Sequence, residues 1–368
     1  MTDPRMSNLA RILVQHSMRV QPKDRVALIA NPIAAPLLTE ITREVLRSGG
    51  YPILNLTLEE LQVVFFTEAN EDQLRFLTPM ESMVYEDFEC FVYLWSQRNT
   101  RSLTNTDAKK RQISQQARAG LMKSYIDRTA SGDLRWVGSL YPTNAYAQDA
   151  EMSLAEFEDF LFRTTFADRE DPVAAWRDLE SFQGRQIEFL AGKKAVLIQG
   201  PDVDLRMSIE GRTFINACGQ LNMPDGEIYT SPVEDSVEGW VRFSYPSLIY
   251  GWEADGIELH FERGRVVKAT AEKGQDKLLE QLEIDEGAKY VGELGIGTNE
   301  NVDRFTKNML FDEKIGGTIH LALGNGFPEA GGANESAIHW DLLCDMRDGG
   351  TIEIDGELFY ESGEFVAK

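Results

Sequence analysis

Cysteine and histidine are both scarce in this 368-residue chain, which holds three cysteines, Cys90, Cys218 and Cys344, and four histidines, His16, His260, His320 and His339. Thiols so few and so far apart cannot form the disulfide frame of a small secreted domain or the closely spaced pairs of a zinc knuckle, so they read as reduced, buried side chains. Positive charge is short as well: 37 Lys and Arg stand against 60 Asp and Glu, for a formal net charge of −23 and a pI near 4.6. Nucleic acid and anionic membrane surfaces repel such a chain, so neither is an expected partner. Long hydrophobic runs are missing, and nothing approaches the roughly 18 apolar residues of a spanning helix. The opening MTDPRMSNLARILVQHSM is broken by polar residues where a signal peptide would be continuous, so the expected location is cytoplasmic. Three catalytic signatures are absent too: the H-E-x-x-H of zincins, the G-x-x-x-x-G-K-[ST] phosphate loop and the G-x-S-x-G nucleophile elbow.

What the chain has is enough apolar surface for real cores, with 42% hydrophobic and 10% aromatic residues. At about 150 residues per domain, its length suggests two or three domains. In the first half strands and helices alternate. DRVALIA (24–30) is a compact strand, APLLTEITREVLRSGG (35–50) a helix closed by Gly49 and Gly50, and YPILNL (51–56) a second strand. A β-α-β unit of this kind implies a parallel pair. CFVYLW (90–95) and LRWVGSLY (134–141) extend the pattern around a long polar helical stretch at 107–126. SLAEFEDFLF (153–162) opens with a capping box of Ser153 and Glu156, and a helix from Pro172 to about Leu190 follows. After Gly192 short β-rich runs such as VDLRMSI, VRFSYP and TIEIDGELFY take over, with GQDKLLEQLEID (274–285) the one clear helix. The expected fold class is therefore α/β: an open α/β domain over 1–190 and an α+β domain over 191–368 with a mostly antiparallel, β-rich core. GELGIGTN (292–299) is glycine-rich but lacks the strand, G-x-G-x-x-G and helix order of a dinucleotide site, and reads as a loop.

Against this background a few polar residues stand out. SAIHWDLLC (336–344) has the β-branched, aromatic and aliphatic bulk of a strand, where positions i and i+2 face the same way, roughly 7 Å apart. His339 and Asp341 therefore point together, and an unpartnered charge in that setting is costly. GTIHLALG places His320 in a second such run. Two histidines within twenty residues, one with an aspartate two positions on, point toward metal ligation. His16, in the first amphipathic helix, reads as a surface or half-buried side chain, and His260, alternating with apolar residues in IELHFERGRVV, as structural. Hard carboxylates complement such a site: Glu227 in NMPDGEIYT, Glu293 in YVGELGIG and Glu313 in NMLFDEK. Taken singly, each is also what a solvated turn glutamate looks like in a chain with 60 acidic residues.

Taken in order, NMPDGEIYTSPVEDSVEG (222–239), YVGELGIGTN (290–299), NMLFDEKIGGTIHLALGNGFP (308–328) and NESAIHWDLLCDM (334–346) resemble the thermophilic metallo-aminopeptidase family, the aminopeptidase T and S type. The likeness runs across the second half. The first half is similar more loosely, through SLYPTNAYAQDAEMSLAEFEDF (139–160) and GRQIEFLAGKKAVLIQG (184–200). The resemblance implies a site for two divalent metal ions, zinc, cobalt or manganese, with Glu227, Glu293, Glu313, His320, His339 and Asp341 as ligands. It implies hydrolysis of N-terminal residues from short peptides by a metal-activated water, in which Glu293 and Glu313 are the catalytic carboxylates, candidates for the bridge between the ions and for the general base. A homodimer is implied as well.

The chain departs from the family in three places. The segment between Glu313 and His320, containing KIGG, is longer, and the stretch from His320 to His339 is shorter, which trims a loop at the pocket mouth. Phe327, seven residues after His320, stands where the family has a tyrosine that steadies the reacting carbonyl oxygen. Such a donor is typically worth about 10²–10³ in rate. These departures keep an alternative open, since His320, His339 and Asp341 are also the two-histidine, one-carboxylate set of a mononuclear iron(II) ring-cleaving dioxygenase of the dihydroxypyridine type. The surplus of carboxylates argues against it.

Overall fold

Val26 to Ala30 follow one another without a polar residue, and the strand they form, β1 (Arg25–Ala30), is buried at every position after Arg25. A strand covered on both faces belongs inside a parallel sheet. The computed structural model, which describes residues 3–249 and 252–366, places β1 between β2 (Tyr51–Leu56) and β3 (Cys90–Trp95), with β4 (Arg135–Leu140) beyond β3 and a short strand, Asn222–Met223, at the far edge. All four pairings are parallel. The helix Ala35–Arg47 makes the crossover from β1 to β2 and buries Leu37, Leu38, Ile41 and Val45. This sheet lies in the first of two compact units, residues up to Trp176 with Gly219–Pro224; the second comprises Arg177–Cys218 and Asp225 onward.

Two details of the first unit differ from the sequence reading. The helical stretch at 107–126 is two helices, Ala108–Ala117 and Ala119–Ser131, separated at Arg118, whose guanidinium turns back to donate to Ser114 and also reaches Glu81. The first helix, Pro4–Arg11, continues as a π turn, Ile12–Ser17. The wider turn shifts the apolar face, and His16 is buried within it, its ring stacked 6.0 Å from that of Trp176.

In the second unit antiparallel pairing takes over. An eight-stranded sheet runs in the order Arg265–Thr270, Glu258–Glu262, Glu238–Arg242, Val203–Ser208, Ala195–Gly200, Thr351–Ile354, Glu357–Glu361 and Glu364–Phe365. A five-stranded sheet is built from β5 (Ile215–Ala217), β6 (Glu227–Thr230), β7 (Val291–Gly297), β8 (Thr318–Gly324) and β9 (His339–Asp345), in the spatial order β9-β8-β7-β6-β5. Ile228, Leu294, Ile296, Leu321, Leu323, Trp340 and Leu342 of the smaller sheet share one core with Val196, Ile198, Leu205, Val241 and Leu259 of the larger. Each such side chain contributes about 1.5–3 kcal/mol when fully buried.

GELGIG is not a loop but most of β7, and all seven residues of that strand are buried. Its glycines mark close approach rather than a turn: a Cβ at Gly292 would stand 2.4 Å from the carbonyl oxygens of Gly324 and Asn325, and one at Gly297 2.1 Å from that of Ile315. The helix expected at 274–285 is present as Gln275–Leu282. Among the described residues no helix is long and apolar enough to cross a membrane.

Candidate metal centre

Side chains alternate along a strand, so committing Ile228, Leu294, Ile296, Leu321, Trp340 and Leu342 to the core sends their neighbours to the other face. Register then collects them. Gly297 is opposite Glu227, Gly295 is opposite both Tyr229 and His320, Ala322 is opposite both Glu293 and Asp341, and Gly324 is opposite His339. One face of the sheet thus carries Glu227, Glu293, His320, His339 and Asp341 over a floor of glycine and alanine. The small floor is required, because a Cβ at Gly295 would lie 2.1 Å from the Cε1 and Nε2 atoms of His320. The imidazole crosses where a side chain is missing.

The five polar residues form two triads that share one carboxylate. Glu227, Glu293 and His320 make one, Glu293, His339 and Asp341 the other, and within each the candidate ligand atoms lie within 4.8 Å of one another. Glu293 faces both ways: His320 Nε2 is 3.4 Å from its Oε1 and His339 Nε2 is 3.0 Å from its Oε2. Glu227 Oε2 lies 3.2 Å from His320 Nε2, and Asp341 Oδ1 lies 3.5 Å from His339 Nε2. His339 Nδ1 sits 2.8 Å from the carbonyl oxygen of Asn325. A carbonyl only accepts, so Nδ1 carries a proton, and Nε2 is the atom turned into the triad, where it faces the carboxylates as a donor and would ligate a cation after losing its own proton.

Burial works against charge here, yet the charges hold one another. It acts to raise the Glu293 carboxyl, but hydrogen bonds from His320 and His339 keep that group well below the usual carboxylate range. Burial likewise opposes protonation of His320 and His339, and the facing carboxylates, Glu227 and Glu293 for the first and Asp341 and Glu293 for the second, raise both nonetheless. For Glu227 burial dominates and pushes the carboxyl up despite Lys314.

These residues fit a divalent cation. Glu227 Oε2, Asp341 Oδ1 and His320 Nδ1 are buried polar atoms with no hydrogen-bond partner, and the two oxygens face histidine nitrogens at distances where an ion could sit among the lone pairs. Glu313 stands beside this arrangement and in neither triad. It caps the short helix Met309–Asp312, and its Oε1 is 2.5 Å from Lys314 Nζ. Lys314, unremarked in the sequence, is the unexpected member: its side chain is 1% exposed, and it also reaches Glu227 Oε1 at 2.5 Å. A lysine set among isoleucine and glycines directly after an acidic pair was the only available signal. Phe327 packs against both Tyr229 and His339, with ring centroids 4.9 Å and 5.0 Å away, and forms an apolar wall beside the second triad. His260 lies in a strand of the larger sheet beside Glu258 and Lys268, outside this centre.

The family described as thermophilic metalloprotease (M29) matches residues 2–365. The chain belongs to that family. M29 relatives include Aminopeptidase 2 of Geobacillus stearothermophilus, 25% identical with 95% of this chain and 93% of the relative aligned. Aminopeptidase T of Thermus thermophilus is 30% identical over 62% of this chain and 60% of its own. The solved structure of wild-type AmpT from Thermus thermophilus has the same fold, with a TM-score of 0.85 at 22% identity over 99% of each chain. Support for the iron(II) oxygenase alternative is lacking: M29 is a family of metalloproteases, and His320, His339 and Asp341 do not close as one set but divide between two triads that each include Glu293.

Proposed function

We propose that this M29 protein is a metal-dependent aminopeptidase that removes N-terminal residues from short peptides at the polar face of β6–β9. The observation that carries the proposal is the sharing of Glu293 between two histidine-carboxylate triads, the arrangement that two neighbouring divalent ions with one bridging carboxylate require. Zinc, cobalt or manganese bound there supplies Lewis acidity toward a peptide carbonyl and lowers the pKa of water from near 16 to about 7.

The chain's own groups do the rest. Glu293 holds both halves of the site together. Glu313 lies outside the triads; burial raises its carboxyl, Lys314 opposes the rise, and Asp341 adds to it, which suits it to accept a proton as general base. Asn325 fixes the His339 ring through Nδ1. The surrounding carboxylates attract the free α-ammonium of a peptide, which selects its N-terminal end. Phe327 offers no hydroxyl to the carbonyl oxygen, so its ring shapes the pocket rather than steadying charge.

The test uses chelator-stripped protein to which cobalt, zinc or manganese is returned, with release of the first residue followed for a free-amine dipeptide and its N-acetylated twin. Metal-dependent release from the free amine alone is the expected result. Cleavage that ignores the metal, or that treats both peptides alike, would overturn the proposal.

A further inference from the structure

The Lys-Ile-Gly-Gly segment after Glu313 runs back across the end of β7. Asn299 N donates to Lys314 O, Gly316 N donates to Asn299 O, and Ile315 bridges Asn299 in parallel. Gly297 leaves the space this approach needs. The result is a buried ammonium at one end of the site, 2.5 Å from Glu227 Oε1, 2.5 Å from Glu313 Oε1 and 3.5 Å from Asp225 Oδ1. A buried ammonium needs carboxylates around it, and Glu227, Glu313 and Asp225 supply them.

The two triads are therefore unlike. In the triad of Glu227, Glu293 and His320, Lys314 already holds one oxygen of Glu227, and His320 Nδ1 has no partner to orient the ring. In the triad of Glu293, His339 and Asp341, Asn325 orients the histidine, and among the described residues no lysine or arginine pairs with either carboxylate. A positive charge beside Glu227 opposes a cation at that position more strongly than at the farther one, because the repulsion falls with distance.

We infer that Lys314 makes the two metal positions unequal: a divalent ion binds tightly at Glu293, His339 and Asp341, and weakly and exchangeably at Glu227, Glu293 and His320. The inference rests on the metallo-aminopeptidase reading of this site. Lys314 is then a positioning residue, which sets the order of loading and makes full occupancy depend on the free metal concentration. The Lys-Ile-Gly-Gly segment acquires a role, as the backbone route that brings the ammonium in.

Cobalt(II) titration of the chelator-stripped full-length protein, read by visible absorbance and equilibrium dialysis, tests this without any activity measurement. The wild type is expected to bind in two steps at least about 10-fold apart in Kd. His339→Ala should abolish the tight step, His320→Ala only the weak one, and Lys314→Met should narrow the gap by about 10-fold or more. A single step for both ions, loss of the tight step with His320→Ala, or an unchanged gap in natively folded Lys314→Met would each overturn the role of Lys314. The wild type and the histidine variants decide the matter if Lys314→Met does not fold. Failure of the wild type to bind any ion, or binding unaffected by either histidine variant, would instead overturn the metal site itself.

Discussion

Gly295 lies between Tyr229 and His320 in the sheet, and its backbone is not in the left-handed region, so alanine is permitted there by conformation and forbidden by space. A methyl group would meet the His320 ring at 2.1 Å. Gly295→Ala is expected to cost about 1–3 kcal/mol of stability through overpacking, and to lower N-terminal hydrolysis by about 10²-fold through displacement of the imidazole. Urea midpoints and initial rates check both, and wild-type values for the two together would contradict the geometry. At this scale the sequence spoke unevenly. His339 and Asp341 were legible because strand alternation alone makes them neighbours. Lys314 was not, because nothing local says whether a lysine after an acidic pair points to water or turns inward.

Strands of the parallel sheet are tied at their beginnings by a charge pair as well as by their ladders. Arg25, the first residue of β1, donates from its backbone to Glu89 Oε2 at 2.8 Å and pairs through its guanidinium with Glu89 Oε1 at 2.6 Å, next to the start of β3. That guanidinium holds the Glu89 carboxyl down at about 2, against the ordinary 4.5. A depressed carboxylate stabilises the fold fully above the unfolded value and loses its contribution as pH falls from about 4.5 toward 2. Arg25→Ala should therefore be less stable than wild type at pH 7, by under about 1 kcal/mol because the pair is partly exposed and screened, and the difference should vanish near pH 2. Chemical denaturation at pH 7, 4 and 2.5 checks the trend; a deficit that grows on acidification would contradict it. The β-α-β order around these strands was readable from apolar runs and glycine stops. The strand β7 was not, since its glycines serve a histidine ring and two neighbouring backbones that lie far away in sequence.

Over the whole molecule the formal net charge is −23, and the site is itself rich in carboxylates. Such a field raises the encounter rate of cationic substrates and weakens as salt shortens the Debye length from about 30 Å at 0.01 M to about 8 Å at 0.15 M. The ratio of kcat/KM for a Lys-led peptide to that for a Leu-led peptide should fall several-fold over that range, whatever the intrinsic preference of the pocket. Parallel salt dependences for the two peptides would rule the steering out.

The sequence by itself determined the alternation of strands and helices in the first half, the change to antiparallel strands in the second, and the pairing of His339 with Asp341, because these follow from short-range periodicity and from four ordered blocks. It also marked Glu227, Glu293, Glu313 and His320 as candidates. Only the tertiary structure decided that Glu293 stands between two histidines, that Glu313 falls outside both triads, and that a buried lysine closes one end of the site. Those facts depend on which strand lies beside which and on a loop crossing a glycine, and such long-range register is set by the packing of a common core rather than by any residue's immediate neighbours.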